Sequence, residues 1–204
     1  MYKLEDHNSL CIVNESYFYK TEPYYTILEC EDSGIRTIPS SSDVLDAYVV
    51  PICLEKARLA GIPVCEWVIS NQYVSVPAIV YGLNYFSTPS DYTVVRELDE
   101  AKRVIKHVTN HGRYPFCYQK INENSTITEC ISIMGRTLNC REQMASISKM
   151  VFEVFQLPLV EIVMVEDNSN YYLSSLAPVK YSQLSEDETE LLQSLLDTKV
   201  NHFE

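Results

Sequence analysis

The sequence predicts an α+β protein: a mixed β-sheet with flanking helices, in which a helix at about 141–157 is the crossover between sheet strands. Three observations carry that expectation. From Glu129 to Pro178 the chain reads strand, helix, strand, strand. In the helical stretch, Met144, Ile147, Val151, Val154 and Phe155 recur at spacings of three and four, which puts them on one face. After it, Leu159 to Val165 is a dense apolar run broken only by Glu161, too short for an independent helix and suited to a strand buried on both faces. Pro158 is expected to stop the helix, because its ring biases Leu157 away from helical backbone angles. Asp167 to Asn170 is a turn of Asp, Asn and Ser, and Tyr171 to Leu176 returns as a second strand.

Taken in order, Leu10 to Val13 is a short strand. Thr21 is placed to cap a helix running to Ser33, with Glu22 and Pro23 in its first turn, where a proline has no helical amide to lose. Gly34 supplies the left-handed residue after that helix, and Ile35 to Ile38 follows as a strand. Ser42 is placed to cap the next helix, which meets Pro51; Pro51 either kinks it or opens a second helix that Gly61 closes. Val64 to Ser70 and Tyr73 to Tyr81 read as strands, and Pro77 would put the second on an edge or break it. Residues 82–92 form an irregular loop. A helix from about Glu97 to Asn110 carries Ala101, Val104, Ile105 and Val108 on one face, and Gly112 ends it. Phe116 to Ile121 and Ile127 to Met134 are strands turned at 122–125. The last helix opens at Ser185 with Glu188 three residues on, a capping box, and Leu191, Leu192, Leu195 and Leu196 form its apolar face. A single α+β domain over 1–204, with a smaller lobe around 62–125, is the expected organisation.

Bulk properties narrow the function classes. A chain of 204 residues with 46% hydrophobic content can bury a core without disulfides. Its formal net charge of −12 opposes a nucleic-acid groove and an anionic membrane surface, so neither is an expected partner. No apolar run reaches the roughly 18 residues of a membrane span. The polar start MYKLEDHNSL is unlike a signal peptide, and the seven cysteines, odd in number and without C-x-x-C, suit a reducing, cytoplasmic setting.

The chemistry-bearing residues are few. His107 and His111 stand four apart, with Cys117 nearby, but no further acid or thiol completes a metal-ligand spacing, so no metal is assigned. Cys117 or Cys130 with His107 could be a nucleophile pair, though nothing in the sequence places them together. The five glycines, at 34, 61, 82, 112 and 135, are too scattered for a phosphate-cradling loop. Glu161 is a carboxylate within an apolar strand, which requires pairing, hydration or a sheet edge. Arg136, beside Gly135 at a strand end, could hold a carboxylate or phosphate bidentately.

Two stretches resemble the RimK-like ATP-grasp N-terminal domain family. In residues 9–40 the matching positions are Tyr24, Tyr25, Leu28, Glu31, Gly34 and Pro39. From IMGRTLN onward they are Gly135, Arg136, Phe152, Glu153, Phe155, Pro158, Leu159, Ser175, Pro178 and Leu184. Residues 60–125 carry no recognised match. The family's Gly is usually flanked by Arg and His, which are Ser33 and Ile35 here. The resemblance implies an α+β domain of the kind found ahead of an ATP-grasp ligase, here standing alone, and a link to peptide- or amide-bond synthesis. A weaker resemblance joins AGIPVCEW and LVEIVMVEDNSNYYLSSLAP to the later part of an ATP-grasp domain, where a strand acid and a Glu-x-Asn hold magnesium. Glu161 would be the first acid, while Ser174, Ser175 and Leu176 occupy the place of the second acid and the Asn.

The expectation is a non-catalytic accessory protein with no cofactor. It would bind a peptide, an amino-acid-like ligand or an ATP-grasp ligase through Tyr24, Tyr25, Glu31, Arg136 and Glu161. The alternatives are an atypical carboxylate–amine ligase using ATP and magnesium, and a structural subunit of a homo-oligomer.

Overall fold

The structure, a computed structural model, describes residues 1–6 and 9–200. Among them are six α-helices and three β-sheets, as expected for an α+β chain. The chain divides into two compact units, Met1–Asp46 with Cys130–Ile162 and Pro178–Glu204, and Ala47–Glu129 with Val163–Ala177.

The first unit holds the mixed sheet. β1 (Tyr2–Asp6) is antiparallel to β2 (Ser9–Val13), and β2 is parallel to β3 (Arg36–Ile38). α1 (Glu22–Asp32) connects β2 to β3. β1 was not anticipated, because Lys3, Glu5 and Asp6 mask a strand whose Leu4 is buried in the core. Thr21 does precede α1, but its hydroxyl donates to the Phe18 carbonyl at 2.7 Å and caps nothing in the helix. Gly34 is left-handed (φ 78°), as expected. α2 (Ser41–Tyr48) begins two residues earlier than predicted. Ser40, rather than Ser42, accepts from the Asp43 amide at 3.1 Å.

The organising helix is α5 (Glu142–Phe155), between β8 (Thr126–Ile133) and β9 (Leu159–Asp167). Met144, Ile147, Val151 and Phe155 are buried as the spacing requires. Ser148 is buried with them, its hydroxyl donating to that of Ser132 at 2.8 Å. The helix ends before Pro158 acts: Gln156 turns left-handed (φ 55°) and its amide donates to the Phe152 carbonyl at 2.9 Å. The Met134 amide, just past β8, donates to the Pro158 carbonyl at 2.7 Å. α6 (Glu186–Val200) opens with the expected capping box, Glu188 receiving from the Ser185 amide at 2.8 Å and giving its own amide to the Ser185 hydroxyl at 3.2 Å. Leu192 and Leu196 then join Leu4, Val13, Ile133 and Leu159 in one core.

In the second unit, Pro51 sits in the first turn of α3 (Val50–Leu59), so it opens a helix. β4 (Trp67–Ser70), β5 (Ala78–Gly82), β6 (Tyr92–Val95) and β7 (Phe116–Lys120) form an antiparallel sheet in the order β4-β7-β5-β6. Pro77 therefore breaks the expected strand, as one of the two expectations had it, and does not mark an edge. β5 starts just after it and lies inside the sheet. The expected strand from Val64 shortens to β4, Val64 making only an isolated bridge to Leu173. α4 (Leu98–Val108) packs Ala101, Val104, Ile105 and Val108 on Val80, Val95 and Phe116. β7 and β8, predicted to be joined by a turn, belong to different sheets.

The third sheet has the order β10-β9-β8, with β10 (Asn170–Ala177) following β9 through Asn168 and Ser169. Both turn residues have positive φ (49° and 64°), the requirement of a tight hairpin. β8 and β9 each contribute residues to both units. Along β9 every residue from Leu159 to Val165 is buried except half-buried Glu161.

The cysteines are free thiols. Burial pushes the Cys117 thiol up from about 9 to about 12, and burial with nearby Asp167 does the same for Cys65. The folded chain thus keeps protons that the unfolded chain releases above pH 9. Stability from these groups is complete below pH 9 and falls as pH rises from there towards 12. Fully buried Cys117 alone should remove about 1.4 kcal/mol between pH 8 and pH 10. Urea midpoints at the two pH values check this, and Cys117→Ala should flatten the dependence. Equal midpoints for the unaltered protein would contradict it.

Candidate functional site

The residues singled out from the sequence fall into separate places. Tyr24 and Tyr25 are consecutive on α1, with ring centroids 6.0 Å apart in an edge arrangement. Tyr24 is buried, and burial, then the Glu31 carboxylate, then Tyr25 raise its phenol above the usual range. Tyr25 is 57% exposed. Glu31 spends its acceptors on its own chain. Oε1 receives the Thr37 hydroxyl at 3.0 Å and the Ser41 amide at 2.9 Å, and Oε2 receives the Ser41 hydroxyl at 2.6 Å. It thereby ties α1 to β3 and satisfies an amide in the first turn of α2, where a carboxylate also complements the helix dipole.

Arg136 is exposed in a tight turn. Met134 and Gly135 both have positive φ, and the Ile133 and Arg136 backbones exchange hydrogen bonds of 2.8 and 3.0 Å. Gly135 is required there twice over, by its φ of 79° and because a side chain would meet the Phe152 Cβ at 3.0 Å. Glu161 lies near Cys130. That thiol is pushed well above its usual range, first by burial, then by Cys140, and further by Glu161 and Glu188.

Neither cysteine pairing produces a reactive thiol. Cys117 is fully buried and its thiol is raised, which is the behaviour of an apolar core residue. His107 and His111 are exposed, and among the described residues no group of three or more His, Cys, Asp or Glu could hold a metal.

The positions of Ser174, Ser175 and Leu176 on β10 are occupied by packed, uncharged groups. All three are fully buried. The Tyr81 phenol on β5 stands 2.7 Å from the Ser174 hydroxyl and donates to that of Ser175 at 3.2 Å. Ser175 donates in turn to the Pro89 carbonyl at 3.3 Å, and Gln119 Nε2 on β7 donates to the Ser174 carbonyl at 2.7 Å. Burial drives the Tyr81 phenol far above its usual range, so it is a neutral donor.

A second feature was not anticipated: an open hollow of about 690 Å³ at the C-terminal end of α4, lined by Asn84, Tyr92, Lys106, His107, Asn110 and His111 among others. Asn84 builds one wall. Its Oδ1 accepts the Phe86 and Ser87 amides at 2.8 and 3.0 Å, and its Nδ2 donates to the Val108 carbonyl at 2.6 Å. Gly82 lets this loop fold back, because a side chain there would collide with Ser87. The other wall follows α4, where Asn110, His111 and Gly112 are all left-handed (φ 47°, 59° and 83°). Two of the three are not glycine, a conformation that costs roughly 1–2 kcal/mol each. Hydrogen bonds hold it: the Thr109 hydroxyl donates to the Ile105 carbonyl at 2.7 Å and accepts the Gly112 amide at 2.8 Å.

Comparison with known proteins gives the lineage. A family model described as the RimK-like ATP-grasp N-terminal domain matches residues 86–195, more than half of the chain. That span includes residues 86–125, where the sequence carried no recognised match, and leaves out residues 9–40. No curated protein is similar in sequence. Among solved structures, a RimK domain ATP-grasp protein of Sphaerobacter thermophilus is 13% identical with a TM-score of 0.65, over 87% of this chain and 76% of that one. The D-alanine–D-alanine ligase of Helicobacter pylori is 13% identical with a TM-score of 0.63, over 96% of this chain and 78% of that one. The ATP-grasp ligase PsnB, complexed with minimal precursor, Mg and ADP, is 14% identical with a TM-score of 0.59, over 86% of this chain but 65% of that one. At such identities these likenesses speak for the fold alone, which is that of ATP-grasp ligases over most of the chain. From the loop before β6 into α6 the match is continuous, and the chain belongs to the RimK-like ATP-grasp N-terminal domain family.

Proposed function

We propose that this chain is a non-catalytic accessory or binding protein linked to peptide- or amide-bond synthesis, with a peptide, an amino-acid-like ligand or an ATP-grasp ligase as its partner. One observation supports the reading: Ser174 and Ser175, which the resemblance to an ATP-grasp domain would set at its second acid and its Asn, are buried and hydrogen-bonded to the Tyr81 phenol. The group that the fold implies, ATP with magnesium, does not fit these residues. Magnesium takes carboxylate oxygens and phosphates as its partners. Ser174 and Ser175 instead offer buried hydroxyls already bonded to Tyr81, and Leu176 is apolar and fully buried. Triphosphate charge needs such a counter-ion or a backbone cradle to be held and transferred, and the scattered glycines make no cradle.

Titration calorimetry with ATP and magnesium tests the reading. No saturable heat is expected. Submicromolar binding would overturn it in favour of the atypical ligase, with half-buried Glu161 as the acid to examine. Identifying what co-purifies with the protein, a small molecule or a ligase, separates the partner classes.

A further inference from the structure

We propose that the hollow at the C-terminal end of α4 binds an acidic peptide segment carrying an aromatic side chain. The proposal deepens the binding reading above by naming a site and a ligand class. Charge is the first support. Residues 102–113 contain Lys102, Arg103, Lys106 and Arg113 together with His107 and His111, and no acid, in a chain of net charge −12. The helix buries its apolar face, so these groups stand on its outer side.

Complementing the helix dipole accounts for some cations in the last turn, but they are not otherwise neutralised. Lys102 pairs with Asp99 at 2.8 Å. None of Lys106, His107 and His111 is in an ion pair among the described residues. Asp91, the acid at the hollow, receives the Thr88 amide and hydroxyl at 3.0 and 2.8 Å within its own turn. Lys106 and His111 also line an adjoining hollow of about 380 Å³, so the basic strip continues beyond the first.

The remaining lining selects the ligand. Helix C-terminal carbonyls disfavour a compact dianion such as phosphate. A peptide spreads its carboxylates and brings backbone N–H donors as well. The exposed Asn110 suits its backbone. On the loop, Tyr85 and Phe86 are 58% and 77% exposed, their rings 5.5 Å apart in an edge arrangement. Phe86 itself lines the hollow. An exposed ring can pack edge-on or offset against a ligand's aromatic ring while the neighbouring cations attract its carboxylates. The size of the hollow is within the usual range of roughly 300–1,000 Å³ for ligand sites.

Fluorescence anisotropy of the full chain with a fluorescein-labelled Glu-Glu-Phe-Glu-Glu-Phe hexapeptide tests this. Saturable binding is expected, weakened by added salt. A Lys106→Gln, His111→Gln double variant should lose about tenfold in affinity, as should a Phe86→Ser variant. The peptide with Gln in place of Glu should not bind. These side chains are exposed, so unchanged thermal melting of the variants shows that folding is intact. Four outcomes would overturn the proposal: no saturation, variant affinities within about twofold of the parent, equal binding of the Gln peptide, or displacement by inorganic phosphate or a single-stranded oligouridine better than by unlabelled hexapeptide. Failure here leaves the calorimetry with ATP unaffected, and nucleotide binding there leaves the anisotropy result standing, so the two readings fail separately.

Discussion

Ser174→Glu is expected to destabilise the protein by about 3–5 kcal/mol, because it buries a charge without a partner. Ser174 is fully enclosed and its hydroxyl lies 2.7 Å from the Tyr81 phenol. A glutamate adds two methylenes and a carboxylate where a serine just fits. No cation reaches Ser174 through any of its hydrogen bonds, which run to Tyr81 and Gln119. The phenol could donate one bond to the new carboxylate, but burial holds it neutral and it offers no compensating charge. Ser174→Ala, which only removes a hydroxyl, should cost about 1–2 kcal/mol. The contrast separates charge burial from lost hydrogen bonding, and urea unfolding of both variants measures it. The same measurement bears on function. Were Ser174→Glu as stable as the parent and able to bind ATP with magnesium, the position would be an open metal-binding place that had merely lost its acid. The non-catalytic reading would then lose its main support.

Phe155→Ala should also cost about 3–5 kcal/mol, through lost apolar burial and the cavity left behind. Phe155 closes the buried face of α5 and has no exposed surface. Its neighbours in sequence cannot shift to fill the gap cheaply: Gln156 is fixed in a left-handed conformation, and Leu157 and Leu159 are themselves fully buried. Ile147→Val, on the same face, removes a single methylene and should cost about 1 kcal/mol. Guanidinium midpoints that move equally for the two variants would mean that α5 does not anchor its unit through this face.

What could be read in advance follows the range of each interaction. The α5 stripe and the Ser185–Glu188 capping box depend on residues within one or two turns, and both are present. Gly34 and Gly61 closed their helices for a reason confined to one φ angle. The caps at Thr21 and Ser42 failed because neighbouring acceptors and donors compete: Phe18 takes the Thr21 hydroxyl, while Ser40 and Glu31 meet the first amides of α2. β1 was hidden by its charged residues although it pairs with the next strand, and the partners of β7 were out of reach because they lie about 35 to 50 residues earlier in the chain. Of the candidate site residues, Tyr24, Tyr25 and Glu31 do cluster on α1, whereas the hollow beside α4 went unnoticed. Its walls come from two segments with no shared period. A signal was present all the same, in the absence of any acid from 102 to 113.

By itself the sequence determined the α+β class, the helix between β8 and β9, and that uncharged Ser174, Ser175 and Leu176 follow one another on the last strand of the 129–178 stretch, because periodicity and residue identity are local properties. Only the tertiary structure decided what those serines meet. Tyr81 and Gln119 reach Ser174 and Ser175 from strands some 55 to 94 residues away in the chain, and whether a serine faces water or a phenol depends on which strands pack over it.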